Sequence, residues 1–297
     1  MSHIGPTDTT YELLTRAAKL SGIDSNGAVA IRDGSHAIYE LRDGIVARIG
    51  KPHSYQTAQR ELRISQWLNR CGIAAVQSVD SIPQPTVVDD RPVTWWRLIP
   101  DHRPSTPDEL GRMLWRLHSL APPTEFRLPD YKPFAGLQER IESATTIGED
   151  NRSWLLDHCK KLWRQHVGLT EPAAPCVIHG DAWQGNLVVP LSGSPIVLDL
   201  DNVSLGRREW DLVQIAVDYT DFQRITDNQY REFVDAYGGY DVTEWPGYRT
   251  LADLQELRWV GFAISRADVS RAAAIEADHR IACLRGPVPK PWTWSAL

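Results

Sequence analysis

Polar side chains that could bind metal or accept a proton lie between short apolar runs in the segment from residue 177 to 202. His179-Gly180-Asp181 ends one apolar run, Asn186 follows five residues after Asp181, and Asp199 comes after a second apolar run. Carboxylate and carboxamide oxygens suit Mg²⁺, which usually keeps water and substrate phosphates in its coordination shell. Asn186 and Asp199 therefore suit a magnesium ion that carries a nucleoside triphosphate, and Asp181, set apart from them, can accept a proton.

The apolar runs beside these side chains are short and predict strands that position them. The N-terminal third of the chain shows similar strand patterns. Alternating segments joined by the turn dipeptides Asp33-Gly34 and Asp43-Gly44 predict three antiparallel strands, at residues 28–32, 37–41 and 45–49. Residues 54–70 have helical spacing, and residues 87–99 predict a further hairpin that runs into a Pro-rich linker at 100–107.

Helical patterns dominate the rest of the chain. They cover residues 108–120, 134–144 and 152–167 and, after a group of short strands between 176 and 200, continue to about 285. An amphipathic segment at residues 10–20 predicts another helix near the start. We therefore expect an α+β protein with a small antiparallel-sheet lobe over residues 1–99 and a larger, mainly helical lobe over residues 100–297.

The segment from His179 to Asp199 resembles the catalytic core of the aminoglycoside phosphotransferase and choline kinase-like family, which shares the bilobal protein-kinase-like fold. The similarity extends over most of the chain. Protein kinases also place an Asp five residues before a metal-binding Asn and add a later metal-binding Asp. Here the loop begins His-Gly-Asp instead of His-Arg-Asp, and no Asp-Phe-Gly occurs, which favours a small-molecule kinase. The resemblance implies that Asp181 is the catalytic base, that Asn186 and Asp199 bind Mg²⁺, and that ATP or GTP is the phosphoryl donor.

The same resemblance implies a nucleotide site in the small lobe. Arg48 occupies the position where the family usually has a phosphate-binding Lys, and Glu61 that of its acidic partner. Arg can bind phosphate oxygens bidentately, but its planar group is not equivalent to an ammonium ion. Ser35, in the turn between the first two strands, would lie over the phosphates. The segment from Trp95 to Ile99 would be the hinge between the lobes, with its backbone, at Trp96, Arg97 and Leu98, pairing with the adenine edge. One of Trp95 and Trp96 would be a core residue.

The resemblance implies that the acceptor is a small molecule with a hydroxyl group. Residues 199–227 contain seven acids and three bases, an excess that favours a cationic acceptor such as an amino sugar or an aminoglycoside-like antibiotic, with antibiotic resistance as the biological role. Candidate acceptor-binding residues are Asp201, Glu256 and Trp259. Asp201 has the alternatives of binding a second metal or facing solvent, and Trp259 that of packing in the core.

Composition restricts the partners. With 38 acidic and 32 basic residues the formal charge is −6, which has the wrong sign for a protein that neutralises nucleic-acid phosphates. The four cysteines form no Cys-x-x-Cys pair, and no apolar run approaches the roughly 20 residues of a membrane span. We expect a cytoplasmic protein that binds neither nucleic acid nor membrane.

Two other functions fit some of these residues. The Arg48 substitution is compatible with a non-catalytic nucleotide-binding regulator on the same fold. His179, Asp181, Asp199 and Asp201 could also form a two-metal phosphatase, although that leaves Asn186 and the small lobe without a role.

Overall fold

The computed structural model describes residues 8–33, 37–169 and 174–297. The helices are α1 (Asp8–Ser21), α2 (Tyr55–Arg70), α3 (Pro107–His118), α4 (Leu137–Glu142), α5 (Glu149–Val167), α6 (Arg208–Thr220), α7 (Asp227–Ala236), α8 (Tyr248–Ala267) and α9 (Arg271–Arg285). The strands are β1 (Val29–Asp33), β2 (Ala37–Leu41), β3 (Ile45–Ile49), β4 (Thr86–Val88), β5 (Arg91–Arg97), β6 (His102–Pro104), β7 (Cys176–Ile178), β8 (Leu187–Pro190), β9 (Ile196–Val197) and β10 (Ser204–Gly206).

The chain divides into two compact units. The first contains the residues up to Ser105 together with Gln184–Val203, and the second contains Thr106–Trp183 together with Ser204–Leu297. The expected α+β class, with an antiparallel sheet and a mainly helical part, is confirmed. Among the described residues no helix is both long and apolar enough to cross a membrane.

A five-stranded antiparallel sheet forms most of the first unit, with strand order β1-β2-β3-β5-β4. Asp43 and Gly44 both have positive φ, 62° and 69°, so the Asp-Gly pair makes the tight turn from β2 to β3 that its sequence predicts. Helix α1 packs Leu14 and Ala17, both fully buried, into the core beneath this sheet. The apolar side chains of the strands, two residues apart, and those of helix α1, three to four residues apart, therefore pack together in one apolar layer.

Strand β5 is buried on both faces. Trp95 is 0% and Trp96 5% exposed, whereas the sequence analysis expects a core role for only one of the two. The Trp96 indole N–H donates to the Thr94 hydroxyl at 2.8 Å, which satisfies its polar atom within the protein. Both indoles thus stabilise the unit, and any nucleotide contact at Trp96 must involve its backbone.

Residues 100–107, the expected linker, contain the division between the two units after Ser105, but their central part forms regular structure. His102–Pro104 form strand β6, which pairs antiparallel with β8, and β8 pairs in turn with β9. Helix α3 already begins at Pro107, where Thr106 and Glu109 form a capping box. The Pro-rich composition predicts a linker, but pairing with β8, a strand far along the chain, gives the segment a regular structure.

The second unit packs its helices around the short β7–β10 ladder. Gly111 of α3 lets α7 approach closely, since a Cβ at this position would lie 2.6 Å from the Phe233 carbonyl oxygen. Helix α4 is shorter than the expected span of 134–144 because Gly136, at φ 66°, precedes its first turn in a left-handed conformation. Helix α8 packs against α4, α5, α6 and α9.

Candidate active site

The β8–β9 hairpin places the two expected metal ligands at one end. Leu187 pairs with Val197, and the Leu198 N–H donates to the Asn186 carbonyl at 2.9 Å. Asn186 therefore enters the hairpin at the end where Asp199 leaves it. Asp199 adopts the left-handed conformation, φ 52° and ψ 63°. A non-glycine residue in this region costs about 1–2 kcal/mol and often marks a functional site.

Arg48 lies on the central strand β3, and its guanidinium contacts carboxylates of the first unit. One nitrogen lies 2.7 Å from the Glu61 carboxylate, and the other lies 3.3 Å from Asp199 and 3.8 Å from Asp201. The Arg48 side chain is 15% exposed, that of Glu61 5%, and that of Asp199 41%. A half-buried cation is thus held by a buried acid on α2 while it contacts the more exposed Asp199.

Burial dominates the protonation of Glu61. It raises the pKa of the carboxyl from 4.5 to about 7, although the charge of Arg48 acts in the opposite direction. The nearby charges of Asp201 and Asp199 raise this pKa further. Arg48 therefore faces a largely ionised Glu61 only when the pH rises above about 7.

Asp211, at the first turn of α6, anchors the loop that carries Asp181. Its fully buried carboxylate accepts the backbone N–H groups of His179 and Gly180, at 2.6 and 2.8 Å. The His118 Nε2 lies 3.1 Å from the same carboxylate, and its Nδ1 lies 2.7 Å from the Tyr237 hydroxyl. Because a carboxylate only accepts, Nε2 donates to it and Nδ1 accepts from the tyrosine.

The opposite face of the loop is held through the Gly180 carbonyl. The Tyr131 hydroxyl and the Trp210 indole N–H both donate to it at 3.1 Å. Gly180 has φ 82°, so a side chain there would be strained. His179 is buried, and its Nδ1 accepts the Asp181 N–H at 3.3 Å. The backbone on both sides of Asp181 is therefore fixed, which orients a side chain whose own surface is half-buried.

Two of the expected hinge residues already use their backbone N–H groups within the protein. The Arg97 N–H donates to the Gln77 carbonyl and the Leu98 N–H to the Gly44 carbonyl, both at 2.8 Å. These donors are consumed because the chain beyond β5 continues to pair with neighbouring segments. No such bond is formed by the N–H of Ile99, the last residue of the expected hinge, within the described part of the chain.

The expected acceptor residues Glu256 and Trp259 lie on α8, in contact with an interior cluster. Glu256 is 2% exposed and lies 2.5 Å from Arg249 and 3.7 Å from Lys290. Burial and a hydrogen bond with Asp221 raise the pKa of Glu256 to about 9. Trp259 packs edge-on against Phe222, with ring centroids 5.8 Å apart. Glu256 therefore presents no open surface to an acceptor, whereas Trp259 is half-buried.

The acid excess between residues 199 and 227 is largely neutralised in the structure. Besides Asp199, Asp201 and Asp211, already described, three further acids lie next to basic side chains. Their ion pairs are Glu209 with Arg208 at 3.2 Å, Asp218 with Arg224 at 2.7 Å, and Asp221 with Arg249 at 2.7 Å. The charge count from sequence therefore overstates the negative field available to a cationic ligand.

The donor chemistry of the hairpin end fits a magnesium ion bound together with a nucleotide. Mg²⁺ is usually held by one or two carboxylates plus substrate phosphates and water, and Asn186 and Asp199 supply oxygen ligands at the same end of the β8–β9 hairpin. Among the described residues no three His, Cys, Asp or Glu side chains converge as a metal site. Ser35, the expected phosphate-loop residue, lies outside the described residues.

A family model described as "Phosphotransferase enzyme family" matches residues 28–254. This range covers more than half of the chain and includes parts of both compact units. The chain belongs to this phosphotransferase family. The expected small-molecule phosphotransferase class is thereby confirmed at the level of the family.

A probable ketoamine kinase of Enterococcus faecium is 30% identical over 105 residues, which cover 34% of this chain and 35% of that protein. The match thus spans only about a third of the curated relative. Among solved structures, an amicoumacin kinase in complex with AMP-PNP and Ca²⁺ has a TM-score of 0.71 at 15% identity, over 95% of both chains. A spectinomycin phosphotransferase in complex with ADP and spectinomycin has a TM-score of 0.64 at 15% identity, over 93% of this chain and 97% of that one. These similarities confirm the kinase-like fold.

Proposed function

We propose that this family member transfers the terminal phosphoryl group of ATP or GTP, in the presence of Mg²⁺, to a hydroxyl group of a small molecule. The observation that carries the proposal is the contact of Arg48 with both Glu61 and Asp199. A cation held beside a candidate metal ligand suits the binding of nucleotide phosphates. The nucleotides in the complexes of the two similar structures, AMP-PNP and ADP, support a nucleotide donor.

On the donor side, Arg48 would bind phosphate oxygens while Glu61 fixes its guanidinium plane. Asn186 and Asp199 would hold Mg²⁺, which when bound offsets negative charge on the phosphates. Asp199 adopts a left-handed backbone conformation that is unfavourable for a non-glycine residue, and we infer that this conformation directs its side chain towards the metal. We assign the backbone donor to the adenine edge to Ile99, since the N–H groups of Arg97 and Leu98 are already bonded.

On the acceptor side, Asp181 would take the proton of the attacking hydroxyl group. Its loop is fixed by the bonds of Asp211 to the backbone of His179 and Gly180. Such anchoring removes the reorganisation that a free loop would require, so the carboxylate is oriented before the acceptor binds. The compounds named for the relatives, two antibiotics and a ketoamine class, make hydroxylated small molecules the first acceptors to test.

The test is mass spectrometry of pooled hydroxyl compounds incubated with the purified protein, Mg²⁺ and either ATP or GTP. We expect one compound to gain a single phosphoryl group, and Asp181→Asn to lower turnover by at least about 100-fold with nucleotide affinity little changed. Asp157→Asn, an exposed acid on α5, is the matched control. Nucleotide binding without transfer to any acceptor would instead favour the regulator alternative, and equal turnover in Asp181→Asn would remove that residue from the role.

A further inference from the structure

Helix α2 supplies two neighbouring charged residues to the donor side of the candidate site. Glu61 holds the Arg48 guanidinium at 2.7 Å. The preceding residue, Arg60, has no part in the proposed transfer, but its Nη2 donates to the Asp201 carbonyl at 3.1 Å, although the two residues are 141 positions apart in the chain. Helix α2 also packs against the turn that contains Asp201. Arg60 therefore joins this helix to the segment that follows Asp199.

The segment that accepts this bond is a single 3₁₀ turn, Leu200–Asn202, which begins directly after Asp199. Its two ends are held by apolar packing, since Leu200 is 2% and Val203 0% exposed. The backbone bond that closes the turn, from the Val203 N–H to the Leu200 carbonyl, is long at 3.3 Å. The polar middle of the turn therefore depends on contacts from outside it, and the bond from α2 is one of them.

Asp199 needs such support because its backbone is strained. A non-glycine residue at φ 52° and ψ 63° persists only where the surrounding structure holds it there. On the N-terminal side, the Leu198 N–H donates to the Asn186 carbonyl at 2.9 Å. On the C-terminal side, the bond from Arg60 ties the next turn to α2. The two bonds together restrain the backbone on both sides of Asp199.

The environment of Arg60 distinguishes this bond from an ordinary surface contact. The residue is half-buried, and its Nε is buried without a hydrogen-bond partner in the described part of the chain. Burying this donor costs free energy, and native proteins carry such local costs mainly at functional sites. The bond to the Asp201 carbonyl is charge-assisted, and such bonds are stronger than those between neutral groups. Arg60 is therefore kept at a local cost and restrains the turn strongly.

We propose that Arg60 is a positioning residue for the metal: it holds the turn after Asp199 on α2, so that the Asp199 carboxylate keeps the direction in which it binds Mg²⁺. This inference rests on the proposed function, and specifically on the assignment of Asp199 as a metal ligand. Arg60 acts through the backbone of Asp201 and contacts neither nucleotide nor acceptor in this role. Helix α2 thereby positions two components of the donor site, Arg48 through Glu61 and Asp199 through Arg60.

The test measures binding of the non-hydrolysable analogues AMP-PNP and GMP-PNP by calorimetry, in EDTA and at a series of Mg²⁺ concentrations. It requires neither an acceptor nor turnover. We expect Arg60→Ala to raise the Mg²⁺ concentration that gives half of the metal-dependent gain in affinity by at least about ten-fold, because loss of a group that orients a metal ligand typically weakens metal binding by this factor. Affinity for the analogue in EDTA should change little, because Arg48 and Glu61 are unaltered.

Arg63→Ala is the matched control. Arg63 lies on the same helix, three residues further along, and is exposed, so this variant removes the same charge from α2 without touching the turn. It should leave the Mg²⁺ requirement unchanged. Arg60→Lys keeps a charged donor and should retain most of the magnesium affinity. Thermal unfolding accompanies each titration, and Arg60→Met, which keeps an apolar stem but has no donor, takes the place of Arg60→Ala with the same expectation if the alanine variant does not fold.

The outcomes separate the two levels of proposal. A selective loss of magnesium dependence in Arg60→Ala, retained affinity in Arg60→Lys and no change in Arg63→Ala would support the inference. An unchanged Mg²⁺ requirement in Arg60→Ala, with metal-dependent binding intact in the wild type, would overturn the inference and leave the proposed function standing. Equal weakening in EDTA and in Mg²⁺ would show that Arg60 acts on Arg48 through Glu61 and not on the turn, and would also overturn it. Lack of any metal-dependent nucleotide binding by the wild type would count against the proposed function itself and therefore against the inference.

Discussion

Glu61 provides a quantitative test of the electrostatics around Arg48. Its carboxyl pKa rises from 4.5 to about 7 because burial outweighs the attraction of Arg48. A rise of this size corresponds to about 3 kcal/mol between the two protonation states. In nucleotide-free protein, Glu61 should therefore remain protonated at a pH where the unfolded chain has already lost this proton.

The sign of the effect on stability follows from proton linkage. Between pH 4.5 and about 7 the folded state binds more protons at Glu61 than the unfolded state, so the free energy of unfolding falls as the pH rises. The contribution is fully present below pH 4.5 and is lost as the pH rises through about 7. Glu61→Gln cannot ionise and should lack this dependence.

Denaturant unfolding of the wild type and Glu61→Gln across this pH range, with EDTA present, measures the difference. We expect the wild type to lose about 3 kcal/mol relative to the variant between low and neutral pH. Glu12→Gln, an exposed acid on α1 in the same unit, is the control and should follow the wild type. A stability difference between wild type and Glu61→Gln that does not change with pH would show that the ion pair with Arg48 keeps Glu61 ionised throughout, and would refute the reasoning.

Three further substitutions test other parts of the molecule. Asp211→Ala should lower the free energy of unfolding by about 3–5 kcal/mol, because it leaves two buried N–H groups and His118 without their acceptor. Denaturant unfolding measures this loss, and a clearly smaller value would contradict the anchoring role of Asp211. Asp199→Ala should abolish the magnesium dependence of nucleotide binding in calorimetry, and unchanged binding would contradict its assignment as a ligand. Gly111→Ala should cost about 1–3 kcal/mol because the new Cβ would lie 2.6 Å from the Phe233 carbonyl, whereas Gly148→Ala, with open space around it, should change thermal stability little.

Local patterns in the sequence predict the sheet of the first unit well. Strands β2 and β3 have the expected limits, residues 37–41 and 45–49, because apolar alternation and the Asp43-Gly44 turn act within a few residues. The departures have non-local or conformational causes. Strand β6 exists only because it pairs with β8, and Gly136 shortens α4 through a backbone conformation that helical periodicity does not show.

The candidate site shows the same limit at the level of side chains. The resemblance identifies Arg48, Glu61 and Asp199 as residues of one nucleotide site, and the structure brings these three into contact. It does not reveal which backbone donors of the expected hinge are already used, whereas the structure shows that the N–H groups of Arg97 and Leu98 are bonded within the protein. Availability of a hydrogen-bond donor depends on the whole tertiary environment.

In this protein, the electrostatic field at a site is the property that is hardest to predict from the residues that lie nearby in the sequence. Acids near a site in the sequence attract a cationic ligand only if their charge is not already balanced, and Asp218 and Asp221 each lie 2.7 Å from an arginine. Arg249, the partner of Asp221, lies 28 residues further along the chain, so a count over a short window of sequence does not include it. Because interaction energy falls with distance and with screening, an acid that lies 2.7 Å from a base contributes little to the field at a ligand. The excess of acids between residues 199 and 227 therefore does not by itself predict a cationic acceptor, although the chain as a whole carries −6.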